Sequence, residues 1–516
     1  NNYTGYKPTE PVTTVESIAL SAITNKQFFE QYVGLRKPVV INGVIPQFPL
    51  ADFKADGDAF VEFLGAKDCD LQVEQKVRGG FGSGSQRVKM KLPELLEKFK
   101  DGDHDWYLTT QYLEDDPELL VPESDNDEEP SAFGNIEDFS DFSDDSIDME
   151  NIQDDFDEEG SDISDEDGSE GETDDPIVSQ VFDKSSDEPL RLSEAKMRVQ
   201  ELVQQPLTGL AKSSKFPLQP ELLSTLVPQQ INLWMGSNTQ AASEFTIDES
   251  DAQTFGLGRS IPGNGTSSGL HHDHADNLYI PIRGQKRFTI YAPSDAAKLS
   301  TVGRIFKIYA NGLIDYNDGD ETYEWKHVRD DGALVTEAAR YELLTNEDLA
   351  DSIREELETI VRQQEDEELA EALSGANSLR DRFDDNFVKK DPPSFSRIPP
   401  ALLHMDEVLA IEPEVQTKLE AFADKNFPGF LQLNKMVVAL EPGQMLYLPA
   451  GWFHEVTSFG GDANATFGHL HLAVNYWYLP PNTNDFEKPY ADNYWKRDFE
   501  RTSEAITLLN KGAFEL

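Results

Sequence analysis

The 516-residue chain has one cysteine, Cys69, and no long apolar run. A single cysteine cannot form an intramolecular disulfide, and it cannot supply a cysteine-based zinc module, which needs at least two. We therefore expect a reducing compartment, cytoplasmic or nuclear. No apolar run reaches the roughly 18 residues that a membrane-spanning helix needs, so we expect no membrane association.

The chain is also poor in basic residues, with 44 Lys and Arg against 97 Asp and Glu and a net charge of −53. A surface this negative repels phosphate backbones, so we expect no direct nucleic-acid binding and favour basic proteins as partners. The acid is concentrated, because the segment from Glu114 to Asp183 holds 30 acidic residues and no Lys or Arg. Its few apolar residues cannot offset the entropy of ordering, which predicts a disordered insertion.

Short apolar and β-branched segments on both sides of this insertion predict strands. The predicted strands cover residues 37–43, 105–112, 231–236, 278–292, 435–440, 445–449 and 470–478. Gly284 divides the longest segment, which we therefore predict to be a β-hairpin. Pro281 lacks the N–H group that a central strand uses, so it argues against a central position. Strand-rich blocks separated by insertions predict a mainly β fold.

Helices are predicted in three places. Residues 91–100 form one, and residues 345–361 carry an amphipathic pattern within a polar segment. The third lies in the C-terminal tail, where an apolar stripe has helical spacing. The stripe consists of Trp495, Phe499, Ile506 and Leu509. Such a stripe most often packs on the chain's own core and less often forms a dimer seam.

The segment most informative about chemistry is L-H-H-D-H-A-D-N-L-Y, residues 270–279. His271 and Asp273 are separated by one residue, so strand alternation places both on one face. An imidazole and a carboxylate, completed by a distant histidine, form the facial triad that holds Fe(II) and leaves coordination positions open. The H-x-D pattern alone is weak evidence, because such pairs often occur by chance.

Two further patterns support a metal role. Lys286 follows the turn after the H-x-D segment and could return beside the metal to pair with an acidic cosubstrate. Residues 442–456, P-G-Q-M-L-Y-L-P-A-G-W-F-H-E-V, run through a Pro-Gly turn to His454. His454 is favoured as the distal ligand because it alone follows this turn, and His469 and His471 are the alternatives.

Several motifs then carry a family resemblance. They are K-P-V-V-I-N-G (37–43), D-W-Y-L-T-T-Q (105–111), H-x-D to G-Q-K-R-F (271–288), I-Y-A-N-G-L-I-D-Y (308–316), P-G-Q-M-L-Y-L-P-A-G-W-F-H (442–454) and A-V-N-Y-W-Y (473–478). The chain resembles the JmjC-domain, cupin-fold 2-oxoglutarate oxygenases. It is more similar to the small protein hydroxylases, such as factor inhibiting HIF, than to the multidomain histone demethylases. Within these hydroxylases it looks most like the lysyl-hydroxylase subgroup whose substrates are translation-associated GTPases.

The resemblance implies a double-stranded β-helix, the jelly-roll or cupin core, with flanking helices and large insertions. The implied order is an N-terminal part (1–112), the acidic insertion (113–190), the first core half (191–300), a polar and helical insertion (301–400), the second core half (401–480) and a C-terminal helix (481–516). Related small hydroxylases dimerise through C-terminal helices, so a homodimer is a further expectation.

The resemblance also implies the cofactor and the residues that bind it. His271, Asp273 and His454 would be the ligands of Fe(II), and 2-oxoglutarate and O2 would be the cosubstrates. Lys286 would anchor the distal carboxylate of 2-oxoglutarate, and Tyr107 would donate a hydrogen bond to the same group.

Three polar residues would complete the cosubstrate site. Asn277 and Asn475 would lie beside the keto acid and the metal. Ser268 stands three residues before the first ligand, where the family usually has Thr, and keeps the hydroxyl without the methyl group. Tyr107 and Asn475 could instead be core residues of their strands, and Trp477 is more often a packing residue than a substrate contact.

The predicted function is hydroxylation of a protein side chain, with lysine preferred and a basic segment as the partner. Lysine demethylation uses the same iron chemistry, but one cysteine cannot build the zinc modules that many JmjC demethylases carry. A catalytically idle, acidic binding protein for basic clients is the alternative from another class. Hydroxylation of RNA is disfavoured by the charge.

Overall fold

The computed structural model describes part of the chain. The described residues are 2–8, 12–76, 80–81, 87–111, 190–212, 216–238, 245–263, 265–317, 325–365, 391–406, 412–461 and 467–516. The predicted acidic insertion lies outside them apart from Leu190. The chain divides into two compact units, the first comprising Asn1–Gln111, Arg191–Gly332 and Val388–Leu516. Of the second unit, the structure describes Leu190 and residues 333–365.

The first unit is built mainly from strands. In chain order these are β1 (Ser17–Ala19), β2 (Val39–Asn42), β3 (Asp70–Gln75), β4 (Arg87–Lys91), β5 (Trp106–Leu108), β6 (Pro228–Ser237), β7 (Thr266–Ser267), β8 (His271–His272), β9 (Asp276–Arg283), β10 (Gln285–Tyr291), β11 (Ile305–Ile308), β12 (Ile314–Tyr316), β13 (Met436–Leu440), β14 (Gln444–Leu448), β15 (Phe453–Phe459) and β16 (Leu470–Tyr478). The mainly β prediction is confirmed.

Helices flank these strands. Those of the first unit are α1 (Asn25–Phe28), α2 (Gly57–Leu64), α3 (Leu92–Lys100), α4 (Leu192–Leu202), α5 (Thr208–Ala211), α8 (Pro413–Asn426) and α9 (Lys496–Asn510). Helix α3 matches the predicted helix at 91–100. Pro93 stands in its first turn, where a missing N–H group costs no hydrogen bond, and its buried face is apolar.

Two sheets enclose the core, as the jelly-roll prediction requires. The larger has the order β1-β2-β14-β9-β16-β6-β5-β3-β4, and the smaller has the order β13-β10-β15-β7 with β8 also paired to β15. Apolar side chains from both sheets meet between them. Tyr279 of the larger sheet and Phe288 of the smaller one, for example, have ring centroids 5.0 Å apart in an edge-on contact.

The predicted hairpin at residues 278–292 is wrong. Its two halves, β9 and β10, lie in different sheets, since β9 pairs with β14 and β16 whereas β10 pairs with β13 and β15. Gly284 makes the crossing between sheets with a φ of +68°, and a Cβ there would come within 2.2 Å of the carbonyl oxygen of Phe459. The glycine therefore marks the corner at which the chain passes from the larger sheet to the smaller one.

The expectation that Pro281 avoids a central position is also wrong, because β9, which contains Pro281, is an inner strand of the larger sheet. The register with β16 shifts between Leu472 and Ala473, and Pro281 stands opposite Ala473 at this irregularity. The pairing with β14 ends before Pro281, at Tyr279. A bulge thus removes the need for a ladder hydrogen bond from the proline.

The C-terminal stripe packs within the chain. Helix α9 lies against α4, with Trp495, Ile506 and Leu509 buried. Two ion pairs join the helices, Arg198–Asp498 with an N–O distance of 2.5 Å and Arg501–Glu194 with one of 2.7 Å. No helix in the part of the chain that the structure describes is long and apolar enough to span a membrane.

The described part of the second unit contains two helices, α6 (Val335–Thr345) and α7, described over 351–365. The amphipathic helix predicted for 345–361 is therefore present, but its predicted start is wrong. Thr345 is the last residue of α6, and its hydroxyl donates back to the carbonyl oxygen of Tyr341.

Candidate metal centre

Two antiparallel strand segments bring two histidines together. His271 begins β8 and His454 lies in β15, and the register pairs them directly, with ring centroids 4.3 Å apart. Asp273 follows β8, and one ligand atom from each of the three residues lies within 4.8 Å of the others. Among the described residues, this group includes neither His469 nor His471.

Both imidazoles are oriented by backbone carbonyl groups. The Nδ1 atom of His271 lies 3.0 Å from the carbonyl oxygen of Gly269, and that of His454 lies 3.0 Å from the carbonyl oxygen of Trp452. A carbonyl oxygen only accepts, so in the neutral form of each ring Nδ1 carries the proton and Nε2 has the lone pair that a metal would bind. Burial, and then repulsion from His454, lowers the pKa of His271 to about 3, so it stays in the neutral, ligating form.

The Asp273 carboxylate completes the group. Its Oδ1 lies 3.9 Å from Nε2 of His271, and its Oδ2 lies 3.7 Å from Nε2 of His454. Asn277 donates to Oδ2 at 3.2 Å, while Oδ1 is buried and has no hydrogen-bond partner among the described residues. A buried carboxylate oxygen left without a donor is unfavourable, and a cation would satisfy it. Two imidazoles and one carboxylate fit Fe(II) with positions left open.

A buried ion pair supports the strand that follows Asp273. Arg36 forms a two-pronged pair with Asp276 at 2.8 and 2.5 Å, and the exposed fractions of the two side chains are 3% and 0%. The hydroxyl of Tyr447 and the backbone N–H of Ala450 also donate to this carboxylate, at 2.6 and 2.9 Å. The pair therefore joins the first ligand segment to the turn that precedes His454.

This turn is fixed to Asp273 as well. The backbone N–H of Gly451 donates to the carbonyl oxygen of Asp273 at 2.9 Å. Gly451 has a φ of +79°, and a Cβ there would come within 1.8 Å of the carbonyl oxygen of Gly312. Only glycine fits at this close approach, which explains why the P-A-G-W-F turn needs it.

The I-Y-A-N-G-L-I-D-Y segment contacts the other side of the ligand pair. The hydroxyl of Tyr316 lies 2.5 Å from Nε2 of His272, the residue between the two ligands. His274, the residue after Asp273, lies with its Nε2 2.9 Å from the carbonyl oxygen of Ile314. The histidines around the H-x-D pair are thus structural supports.

Lys286 lies on the same face of β10 as Phe288, and its side chain is fully buried. Its Nζ donates to Oγ of Ser458 at 2.7 Å and to the hydroxyl of Tyr107 at 3.3 Å, and it lies 3.3 Å from Nδ1 of His471. No carboxylate among the described residues pairs with it. The groups within hydrogen-bond distance of this buried amine are therefore neutral ones.

These surroundings disfavour the charged form of the amine. Burial, and then repulsion from Lys76, lowers the pKa of Lys286 to about 7. Burial also raises the pKa of Tyr107, so its hydroxyl keeps its proton and can donate. A carboxylate ligand placed here would accept from Lys286, Tyr107 and Ser458 together, and it would restore the charge of the lysine.

Asn277 and Asn475 form a polar chain that starts at the metal group. Asn475 donates to Oδ1 of Asn277 at 3.3 Å and accepts from Nε1 of Trp234 at 2.9 Å. Ser268 is also buried, but its hydroxyl bonds to backbone groups. It accepts from the N–H of Val456 at 3.0 Å and donates to the carbonyl oxygen of Gly269. The asparagines therefore face the site, whereas Ser268 ties the H-x-D segment to β15.

Three residues of this arrangement were not predicted from the sequence. Arg36 directly precedes K-P-V-V-I-N-G, and Tyr316 ends I-Y-A-N-G-L-I-D-Y, so both stand at the edges of recognised motifs. Ser458 could have been found from its spacing, because a residue four places after His454 on one strand shares its face.

Comparison with known proteins places the chain. The profile of the Cupin-like domain matches residues 25–484. JmjC domain-containing protein 4 of Schizosaccharomyces pombe is 28% identical over an alignment 552 residues long, which covers 99% of this chain and 94% of that protein.

A second relative matches a shorter segment. Lysine-specific demethylase JMJ32 of Arabidopsis thaliana is 36% identical over 70 residues, or 13% of this chain and 19% of that protein.

Proposed function

Because the chain belongs to the JmjC family of cupin-like oxygenases, we propose that it is an Fe(II)- and 2-oxoglutarate-dependent dioxygenase that hydroxylates a protein side chain, with lysine preferred. One observation supports this most strongly. His454 and Ser458 share one face of β15, and beside them lie a buried carboxylate oxygen without a donor, on Asp273, and a buried amine with only neutral partners, on Lys286. A divalent cation and a dicarboxylate would satisfy both.

The residues would divide the binding between them. His271, Asp273 and His454 would hold the iron and leave its remaining positions for the keto acid and oxygen. Lys286 would bind the distal carboxylate. Bound iron and 2-oxoglutarate supply the activation of O2, which is coupled to decarboxylation to succinate and to transfer of one oxygen atom into a C–H bond.

The chain itself would position the cosubstrate and exclude water. The side chains of His271 and Asp273 are each 7% exposed and that of His454 is 4% exposed, so the site is shielded from bulk solvent. Burial strengthens the electrostatic contacts to a charged ligand and protects a reactive oxidant from side reactions.

The substrate proposal rests on charge and on the motif resemblance. A net charge of −53 favours encounter with a basic polypeptide. The I-Y-A-N-G-L-I-D-Y motif favours lysine as the target and a translation-associated GTPase as a candidate partner. A homodimer, with cytoplasmic or nuclear location, stays a prediction.

Demethylation of lysine is the second candidate, because the name of the Arabidopsis relative states that activity. The match to that relative spans 70 residues. It would use the same residues on an N-methyl carbon and release formaldehyde. Hydroxylation instead leaves the oxygen atom on the product.

Mass spectrometry of a proteome incubated with 2-oxoglutarate, Fe(II) and ¹⁸O2 tests the proposal. We expect ¹⁸O on protein side chains with wild-type protein and none with His271→Ala. Formaldehyde without retained ¹⁸O would favour demethylation. Equal spectra for the two proteins, with no succinate formed, would favour the idle binding protein.

A further inference from the structure

A second polar group lines the larger sheet beside the metal centre. On β6, Gln230, Asn232 and Trp234 share one face by strand alternation. This face looks towards the metal centre, because Trp234 donates to Asn475, which in turn donates to Asn277. The polar residues of β6 therefore line the same interior as the candidate ligands.

The strand register separates two ends of this face. Asn475 stands opposite Asn232, and two residues further on Trp477 stands opposite Gln230. In the other direction along β16, His471 stands opposite Gly236 and contacts Lys286. A cosubstrate held between the metal and Lys286 extends towards His471. Gln230 and Trp477 lie in the opposite direction along the strands, away from Lys286.

The side chains at this opposite end are buried and unsatisfied. Asn232 is 0% exposed, Trp477 3% and Gln230 7%. Both amide atoms of Asn232, Oε1 of Gln230 and Nε1 of Trp477 have no hydrogen-bond partner within the described residues. Buried polar atoms without partners are rare because they are strongly unfavourable. Oδ1 of Asp273, the atom that we propose binds the metal, is likewise buried and without a hydrogen-bond partner among the described residues.

We propose that Gln230, Asn232 and Trp477 form a substrate subsite that binds an amide group of the polypeptide next to the target residue. This proposal rests on the proposed function. The subsite offers two acceptors, Oδ1 of Asn232 and Oε1 of Gln230, and two donors, Nδ2 of Asn232 and Nε1 of Trp477. An amide presents both an N–H group and a carbonyl oxygen, so it matches both kinds.

Charged groups match less well. An ammonium group only donates, so it would leave the two donors of the subsite unsatisfied, and a carboxylate only accepts, so it would leave the two acceptors unsatisfied. The amide can come from the backbone or from an Asn or Gln side chain of the substrate. Both sources share this chemistry, and they differ in bulk and in the number of N–H groups.

Asn232→Leu tests the subsite, because leucine has a similar volume and no polar atom. Thr289→Val is the matched control, since the hydroxyl of Thr289 is also buried and without a partner among the described residues. Thr289 alternates with Phe288 on β10, so it lies on the opposite face of the strand from Phe288 and points away from the space between the two sheets. Removing either unsatisfied group should leave Tm unchanged or raise it by a few degrees.

The two variants should then differ with substrate. We measure ¹⁸O incorporation into acid-extracted basic proteins, and the Kd of 2-oxoglutarate with Mn(II) in place of iron. Asn232→Leu should lose at least about tenfold in ¹⁸O incorporation, as expected for lost buried hydrogen bonds, with a Kd within about twofold of wild type. Thr289→Val should match wild type in both.

Small amides identify the source. N-methylacetamide resembles a backbone amide and acetamide a side-chain amide, and the better inhibitor of wild-type ¹⁸O incorporation indicates the source. Neither should inhibit Asn232→Leu further.

Three results would overturn the subsite. Unchanged ¹⁸O incorporation in Asn232→Leu would exclude a contact between Asn232 and the substrate. Weaker binding of 2-oxoglutarate would make Asn232 a cosubstrate contact. A lower Tm would make Asn232 a structural residue. If wild-type protein incorporates no ¹⁸O, the proposed function fails, and the substrate-free Tm comparison still judges the subsite.

Discussion

Arg36 and Lys286 are both buried basic side chains, but only Arg36 of the two has a carboxylate partner among the described residues. Arg36 meets Asp276 through two hydrogen bonds, whereas Lys286 meets the neutral groups of Ser458 and Tyr107. A buried charge is stable only when it is paired. The comparison therefore separates a basic side chain that holds the fold together from one that we propose binds an anionic ligand.

Breaking the Arg36 pair should have the largest effect. Arg36→Met leaves the Asp276 carboxylate buried without its cation, which should lower the free energy of unfolding by about 3–5 kcal/mol. Urea denaturation measures this. Lys100→Met is the control, because Lys100 pairs with Glu97 on an exposed helix surface and should show no measurable loss. A stable Arg36→Met protein would remove Arg36 from its structural role.

Lys286→Met should give the opposite result. Because Lys286 has no carboxylate to leave behind, the free energy of unfolding should fall by no more than about 1 kcal/mol. The Kd of 2-oxoglutarate should instead rise about 100-fold or more, because hydrogen bonds from a charged group to the distal carboxylate are lost. Calorimetric titration with Mn(II) and 2-oxoglutarate measures it. Strong destabilisation with unchanged Kd would reverse the comparison.

The pH dependence of cosubstrate binding sharpens the comparison between Arg36 and Lys286 further. The pKa of Lys286 is lowered to about 7 in the free protein, and a bound carboxylate would raise it. Above pH 7, binding must therefore take up a proton, so the Kd of 2-oxoglutarate should rise about tenfold per pH unit. Below pH 7 this group should have no effect.

Two variants check the cause of this slope. Lys286→Met should lose it, and Lys76→Met should move its onset to higher pH, because repulsion from Lys76 is the second cause of the lowered pKa. The other groups around the amine, Tyr107, Ser458 and His471, stay neutral over this range. A Kd independent of pH in wild-type protein would show that Lys286 is not the carboxylate anchor.

Tyr107→Phe should have the smallest effect. It removes one hydroxyl that lies 3.3 Å from Nζ of Lys286, so the Kd of 2-oxoglutarate should rise about two- to tenfold. The aromatic ring stacks on Phe81 with centroids 3.5 Å apart, and the variant keeps this contact. A change as large as that of Lys286→Met would mean that Tyr107 carries more of the binding than the lysine does.

The contrast between the two cations also shows which parts of the site could be predicted. Lys286 was selected as a candidate because it lies close in sequence to the H-x-D segment and within a recognisable strand. Arg36 was not found, because its partner Asp276 is 240 residues away and nothing local marks either residue as paired. Local patterns predicted strands, α3 and the three metal-ligand candidates, whereas long-range pairing stayed invisible.

The error at residues 278–292 has a similar origin. Alternation continues through Gly284, and a glycine that turns a hairpin looks the same in sequence as one that crosses to another sheet. The choice is made by β13–β16, which lie more than 140 residues later and supply the partners of both strands. Pro281 was misjudged for the same reason, since the bulge that accommodates it forms with β16.

Although the chain carries a net charge of −53, the described residues of the site balance a carboxylate oxygen without a donor, on Asp273, against an amine without a carboxylate partner, on Lys286. Anaerobic absorption spectroscopy with Fe(II) and 2-oxoglutarate tests this balance most directly, because their chelate has a visible charge-transfer band. We predict the band at one equivalent of each in wild-type protein, its loss in His454→Ala, and a need for far more 2-oxoglutarate in Lys286→Met. No band in wild-type protein, or an equal band in His454→Ala, would contradict the metal centre.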